Sequence, residues 1–340
     1  MRHRARQVRR TAGTVATTLA LTLAVTSCGV TRSQAGVDDD LLMIIPNSPG
    51  GGYDLTGRAA VRVMEDHDVT GGGFQVENSI GAGGSLAFAQ LMNLEGDEES
   101  MMTVGLGVVG SLYSFGSEES LQDATPIAQL IEEQEGILVP GDSPWRTVDD
   151  FVQAWEADPS SITVGGGSSP GGPDHLFPHQ LAEAVGVDPT AVNYISYDGG
   201  GPLTSALLGN KIQVGFSGLG EFAGSIENGD LRVLAVSGEE RIEQESLNDI
   251  PTLVESGIDF TFLNWRGVLA PPGISAEREQ QYIDYFTEMR ATDEWTEQLE
   301  ANGWEDAFLT GEEFDQFLVE QDARVADTLT ELQLINEEDA

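Results

Sequence analysis

Short apolar runs recur along this chain, and four of them empty into a glycine-rich loop that reads as the start of a helix. Leu41–Ile45 is continuously apolar, the pattern of a strand covered on both faces. Phe74–Glu77 and Met101–Val104 read as further strands. Asp54 is expected to cap the helix after the first loop, and Ser85 the helix after the second. The chain restarts between Pro140 and Pro144, with Thr147 as a helix cap and Asp149 and Asp150 in the first turn. Ser161–Val164 and Ala191–Ile195 read as strands that feed the third and fourth loops, and Ile212–Phe216 and Leu231–Val236 as two more. Pro202 fits a helix's first turn, and Gly209 with Asn210 closes that helix. Leu269–Gly273 reads as a turn. From Ser275 to the end the pattern is helical and charged, with Tyr282, Phe286, Trp295, Leu299, Phe314 and Phe317 expected in the core. Strand, loop and helix in repetition predict an α/β fold, a parallel sheet with helices on both faces.

The four loops are Pro46–Asp54, Asn78–Ser85, Gly165–Gly172 and Tyr197–Pro202. A helix N-terminus carries free backbone N–H groups and about half a positive charge. Glycine lets a ligand approach that backbone closely. The repeated device predicts a site for an anion, most simply a carboxylate, that needs no basic side chain. Ligand contacts are expected from Ser48, Gly50, Gly51, Gly52, Tyr53 and Asp54 in the first loop, and from Asn78, Gly81, Ala82 and Gly83 in the second. The third supplies Ser168, Ser169, Gly171 and His175, and the fourth Tyr197, Asp198, Gly199 and Gly200. Gly107 and Ser217 complete the set. Trp265 is expected to pack near a hinge.

Charge removes several classes of partner. The chain carries 57 acidic and 16 basic residues, and Lys211 is its only lysine. Such acidity argues against nucleic acid and against docking on anionic lipid headgroups. Its plain reading is solubility. Five of the arginines fall within the first ten residues, and an uncharged stretch runs from Thr11 to Ser27. This order describes an export signal, over residues 1–27, too short to span a membrane. Arg9–Arg10 is a weak match to a twin-arginine signal. Val25-Thr26-Ser27-Cys28 resembles the lipobox of bacterial lipoproteins, which makes Cys28 the lipidated residue and residues 28–40 a polar tether. Cys28 is the only cysteine, so neither an intramolecular disulfide nor a cysteine pair for zinc is available.

Seven strings, in order, resemble the signatures of the Bug family, the extracytoplasmic solute-binding proteins of tripartite tricarboxylate transporters. They are Ile45–Asp54, Val76–Gly84, Tyr197–Gly200, Leu207–Phe216, Gly229–Val236, Ile250–Gly257 and Trp265–Pro271. The resemblance covers essentially everything from Leu41 onward. It implies two doubly wound α/β domains of the periplasmic-binding-protein type II kind, joined by a hinge with a ligand in the cleft. The expected division is residues 41–140 plus 262–340 for domain I and 141–261 for domain II. The resemblance further implies a small carboxylate ligand held largely by backbone N–H groups and water. Its partners would be the large and small permease subunits, with the receptor a monomer on the outer face of the cytoplasmic membrane. The family's fourth signature carries a basic residue after its tyrosine, where this chain has Asp198.

Three other chemistries were weighed. Gly105-Leu106-Gly107-Val108-Val109-Gly110 fits a dinucleotide fingerprint, but no acidic residue is well placed for the ribose. Gly167-Ser168-Ser169-Pro170-Gly171 fits a nucleophile elbow, which makes an esterase built on Ser169 an alternative. Pro170 opposes it by lacking the N–H that an oxyanion hole needs. Asp174, His175 and His179 offer two histidines at helical spacing, but Pro178 should interrupt that helix and no third ligand is apparent. The sequence therefore predicts no catalysis, no cofactor and no metal. A ligand-sensing module for a membrane sensor remains an alternative to transport.

Overall fold

A computed structural model describes residues 41–244 and 246–335; the expected signal, Cys28 and the tether lie outside them. The first stretch runs β1 (Leu41–Ile45), α1 (Gly52–Asp66), β2 (Phe74–Asn78), α2 (Ser85–Met92), β3 (Ser100–Gly105) and α3 (Leu106–Ser114). It leads into β4 (Thr125–Pro140), then α4 (Val148–Ala157), β5 (Thr163–Gly166), α5 (Pro173–Ala184), β6 (Asn193–Ser196) and α6 (Gly200–Leu208). After β7 (Val214–Gly218), α7 (Ala223–Glu227) and β8 (Leu231–Val236), the chain returns through β9 (Leu263–Ala270). It ends with α8 (Ala276–Arg290), α9 (Asp293–Asn302), β10 (Trp304–Thr310) and α10 (Gly311–Glu331).

The strands join in the order β2-β1-β3-β9-β4-β7-β5-β6, with β8 and β10 also paired to β4. Two parallel βαβ groups form its ends: β1 with β2 and β3, and β5 with β6 and β7. The 16-residue β4 links them. Its residues 125–134 pair with β9, and residues 135–140 pair with β7 and β8. The fold is thus α/β, two halves of periplasmic-binding type sharing one central strand. Within β1, Met43, Ile44 and Ile45 are completely buried, as a strand covered on both faces requires. In the second half Phe151 stacks on Trp155 at 5.0 Å and both pack near Phe216.

Several expectations need correction. The sheet is mixed, because β9 runs antiparallel to β3 and β4, and β4 antiparallel to β7. The sequence reading passed over β4, whose centre holds Glu132, Glu133, Gln134 and Glu135 and so looks like a solvated segment. The C-terminal region is not wholly helical: β10 lies between α9 and α10, set off by Gly303 and Gly311, both at positive φ. The turn expected over Leu269–Gly273 starts later, since Leu269 and Ala270 still belong to β9. Asp54 sits inside the first turn of α1, whose N-cap is Gly51, and Ser85 begins α2 after Gly84. Helix α5 continues through Pro178. Thr147 caps α4 as expected, in a capping box with Asp150.

Candidate functional site

The helices divide by how their N-termini are capped. Thr147, Ser275 and Thr292 cap α4, α8 and α9 with side-chain oxygens. Helices α1, α2, α3, α5 and α6 instead start after Gly51, Gly84, Gly105, Gly172 and Gly199, none with a side-chain cap from its own N-cap residue. These glycine-capped starts border one cavity of about 880 Å³ between the two βαβ groups. An unpaired backbone N–H at such a place needs an acceptor, from water, ligand or a distant side chain.

From the first loop Ser48, Gly50, Gly51, Gly52 and Tyr53 line the cavity; from the second, Gly81, Ala82 and Gly83. Ser168 and Ser169 reach it from the third, and Tyr197, Asp198, Gly199 and Gly200 from the fourth, with Gly107 and Ser217 also on its wall. Ser48 Oγ stands 3.5 Å from Asp198 Oδ2, so the first and fourth loops meet across the opening. Four expected contacts stand behind this wall. Asp54 accepts from the Gly50 N–H at 2.9 Å, Arg58 Nε at 2.7 Å and Asn78 Nδ2 at 2.9 Å. Burial alone would raise the Asp54 carboxyl, but these hydrogen bonds outweigh it and hold the pKa low. Asn78 also donates to the Asn47 carbonyl, so this pair locks the first loop to the second. Gly171 donates to His175 Nδ1 at 3.2 Å.

The rings of His175 and His179 lie 4.3 Å apart inside α5, tilted by 37°. Burial, and then the neighbouring His179, press the His175 pKa down to about 3, so the ring is neutral. Among the described residues no group of three or more histidine, cysteine, aspartate or glutamate side chains is arranged to hold a metal. The fingerprint glycines have a packing role. A Cβ at Gly110 would collide with the Gly171 backbone, so α3 and the third loop touch main chain to main chain.

The sequence reading missed the charged part of the wall. Arg266, 6 % exposed on β9, pairs with Glu133, 4 % exposed on β4, and donates to Thr56 Oγ1 at 3.3 Å. The signal was present in Trp265–Pro271, where a single arginine interrupts an apolar run. Glu221 and Asp174 also line the cavity. Asp174 Oδ2 accepts from the Gly167 N–H at 2.6 Å, while its own N–H donates to Ser168 Oγ. Burial raises the Asp174 pKa to about 7, against the lowering bonds from Ser217 and Gly167. Glu221 Oε2 accepts from the Gly200 N–H at 2.7 Å, and the Gly52 N–H acts on it more weakly. Its side chain is exposed to the open cavity, yet the close walls desolvate the carboxyl enough to raise its pKa. Tyr53 points its hydroxyl at the Gly107 and Val108 amides, and burial pushes its pKa up to about 12. Behind the wall, Glu135 is fully buried with neither carboxyl oxygen hydrogen-bonded, and burial raises its pKa well above the ordinary value.

The expected anion cradle is therefore partly filled by the protein's own acceptors. Asp54 holds the Gly50 amide, Asp174 that of Gly167, Glu221 that of Gly200, and Tyr53 those starting α3. In the second loop, the Gly81, Ala82 and Gly83 amides have no acceptor among the described residues. Trp265 is 1 % exposed and packs edge-on against Phe314 and Phe317, off the cavity.

A profile of the family described as Tripartite tricarboxylate transporter family receptor matches residues 67–334. The "UPF0065 protein in gbd 5'region" of Cupriavidus necator is 28 % identical over 318 residues, covering 91 % of this chain and 92 % of that protein. A solved TctC solute-binding protein from Polaromonas, without ligand, is 25 % identical with a TM-score of 0.66, over 87 % of this chain and 99 % of the other. MatC of Rhodopseudomonas palustris, solved with bound malate, is 20 % identical with a TM-score of 0.73, over 85 % and 98 %, a likeness of fold.

Proposed function

The chain belongs to the tripartite tricarboxylate transporter receptor family, and from that premise we propose that it captures a small organic carboxylate outside the cytoplasm and delivers it to a membrane permease of large and small subunits. The family is one of receptors rather than enzymes. The observation that carries the reading is the second glycine loop: its three amides, without protein acceptors, border a cavity ringed by four further glycine-capped loops and helix starts. An anion there accepts from main-chain N–H groups and meets the positive end of a helix. Each charge-assisted bond contributes about 1.5–3 kcal/mol, so a few of them bring a small acid to roughly micromolar affinity after ordering costs.

In this reading Ser48, Ser169 and Tyr197 add side-chain hydrogen bonds around the bound acid. The two halves close as domains bounded near residues 140 and 262, with β4 and the approach to β9 as the hinge. Closure follows from a ligand that touches both halves and so favours the shut form. The receptor acts as a monomer tethered through a lipid on Cys28. Malate in MatC is a precedent for the ligand class.

A thermal-shift screen against mono-, di- and tricarboxylates tests the reading. A ligand at a hundred times its dissociation constant adds about 2.7 kcal/mol. Melting points raised by neutral sugars or by cations, and by no carboxylate, would overturn it.

A further inference from the structure

The cavity wall is acidic where an anion receptor calls for the opposite. Four carboxyls line it, those of Glu133, Asp174, Asp198 and Glu221, against the single guanidinium of Arg266. Arg266 is already committed to Glu133. Glu221 departs furthest from a mere wall residue. It comes from the segment after β7, yet its Oε2 rests on the first amide of α6 at 2.7 Å and is acted on by the first amide of α1, from the other half of the molecule. Those two helices, of 15 and 9 residues, both begin on the cavity wall, and the protein's own carboxylate stands at the first amide of α6. Gly200 leaves it room: a Cβ at that position would press on the Glu221 carboxyl. The side chain is nonetheless open to the cavity, so a ligand meets its other oxygen.

We propose that Glu221 is the specificity-determining residue of this receptor: a resident carboxylate that takes the anion position at the Gly200 amide and presents a negative, hydrogen-bond-accepting surface to the ligand. The inference rests on the carboxylate-receptor reading above and narrows it. One ligand carboxylate is accommodated, on the amides of Gly81, Ala82 and Gly83. A second is refused at the start of α6, since it would displace Glu221 or stand beside it unneutralised. The opposite end of the ligand carries a cationic amine, which donates to Glu221 and offsets its charge and that of nearby Asp174. The guest is an amino-carboxylate, and discrimination against the dicarboxylate of equal length comes from repulsion as much as from attraction. The desolvation of Glu221, which raises its pKa, fits a position that lacks a full counter-charge until such a group arrives.

The test compares 5-aminopentanoate with glutarate, equal in chain length, by calorimetric titration of the wild-type protein and of Glu221→Gln and Glu221→Ala. The wild type should prefer the amino acid by about tenfold or more, the worth of one charge-assisted hydrogen bond. Glu221→Ala vacates this anion position and should reverse the order, with glutarate gaining about tenfold or more. Glu221→Gln keeps the shape, removes the charge and should erase most of the preference. A wild type that binds glutarate as tightly as 5-aminopentanoate overturns the inference and leaves the receptor reading standing. A preference that survives both substitutions also overturns the role of Glu221. If neither probe, nor any other carboxylate, binds wild type or variants, the receptor reading itself has failed.

Discussion

Replacing Asp174 with asparagine should change how stability depends on pH far more than it changes stability at any acid pH. Asp174 is 5 % exposed, and burial lifts its carboxyl from 3.8 to about 7. A carboxyl whose pKa is raised on folding binds its proton more tightly in the native state. Its favourable contribution is complete below the unfolded value of 3.8 and disappears as pH climbs through about 7. The displacement corresponds to about 4 kcal/mol between those limits. Asparagine keeps the shape and an oxygen for the Gly167 N–H, which donates at 2.6 Å, but has no charge to bury. The variant should therefore match the wild type within about 1 kcal/mol at pH 4.5 and exceed it by about 2–4 kcal/mol at pH 8.5.

The wild-type curve alone would not reveal this. His175, the next residue, has its pKa held down to about 3 from 6.5, so its contribution is present above 6.5 and is lost as pH falls. The two neighbours thus slope in opposite directions and flatten each other. The readout is the difference between variant and wild type, from urea unfolding at half-unit steps between pH 4.5 and 8.5. A difference that stays constant across that range would refute the reasoning, because it would mean that Asp174 titrates alike in the folded and unfolded chains.

Two further predictions follow from geometry and from the leader. Gly110→Ala should destabilise by about 1–3 kcal/mol by driving a methyl into the Gly171 backbone, whereas Gly224→Ala in α7, with open space around it, should be neutral or stabilising by up to about 1 kcal/mol; urea midpoints of the two variants compare them directly. Cys28→Ser should release the receptor from the membrane fraction into the soluble one on cell fractionation, and unchanged membrane retention would reject the lipid anchor.

What could be read from the sequence follows a physical division. Strand Leu41–Ile45 announces itself because both sheet faces are covered and the run is purely apolar, and Leu231–Val236 because Arg232 alone interrupts such a run. The glycine loops announce themselves because few residue types allow a helix to start beside a cavity. Strand β4 stays hidden because its buried centre is acidic. Glu133 is tolerated there through Arg266, a strand away on β9, and Glu135 through a burial that favours its uncharged form. Neither circumstance leaves a trace in local sequence. For the same reason Glu221 escapes notice. It follows β7 among ordinary surface-like residues, and only the fold carries it to the start of α6.

That last point bears on how such a receptor sets its preference. An open helix end must have an acceptor at all times, with or without a guest. This chain gives α4, α8 and α9 a threonine or serine for that purpose, and the cavity-facing α6 and α3 a carboxylate and a phenol brought from elsewhere in the fold. A ligand carboxylate therefore competes with a protein group at Gly50, Gly167, Gly200 and the start of α3, and with water alone at amides such as those of Gly81–Gly83. Affinity is then the difference between two similar sets of hydrogen bonds, which is small, while the charge left facing the cavity is large. Selectivity in this cleft consequently lies with the side chains that already occupy the anion positions, and changing one of them alters which molecule is recognised more than how tightly the fold holds together.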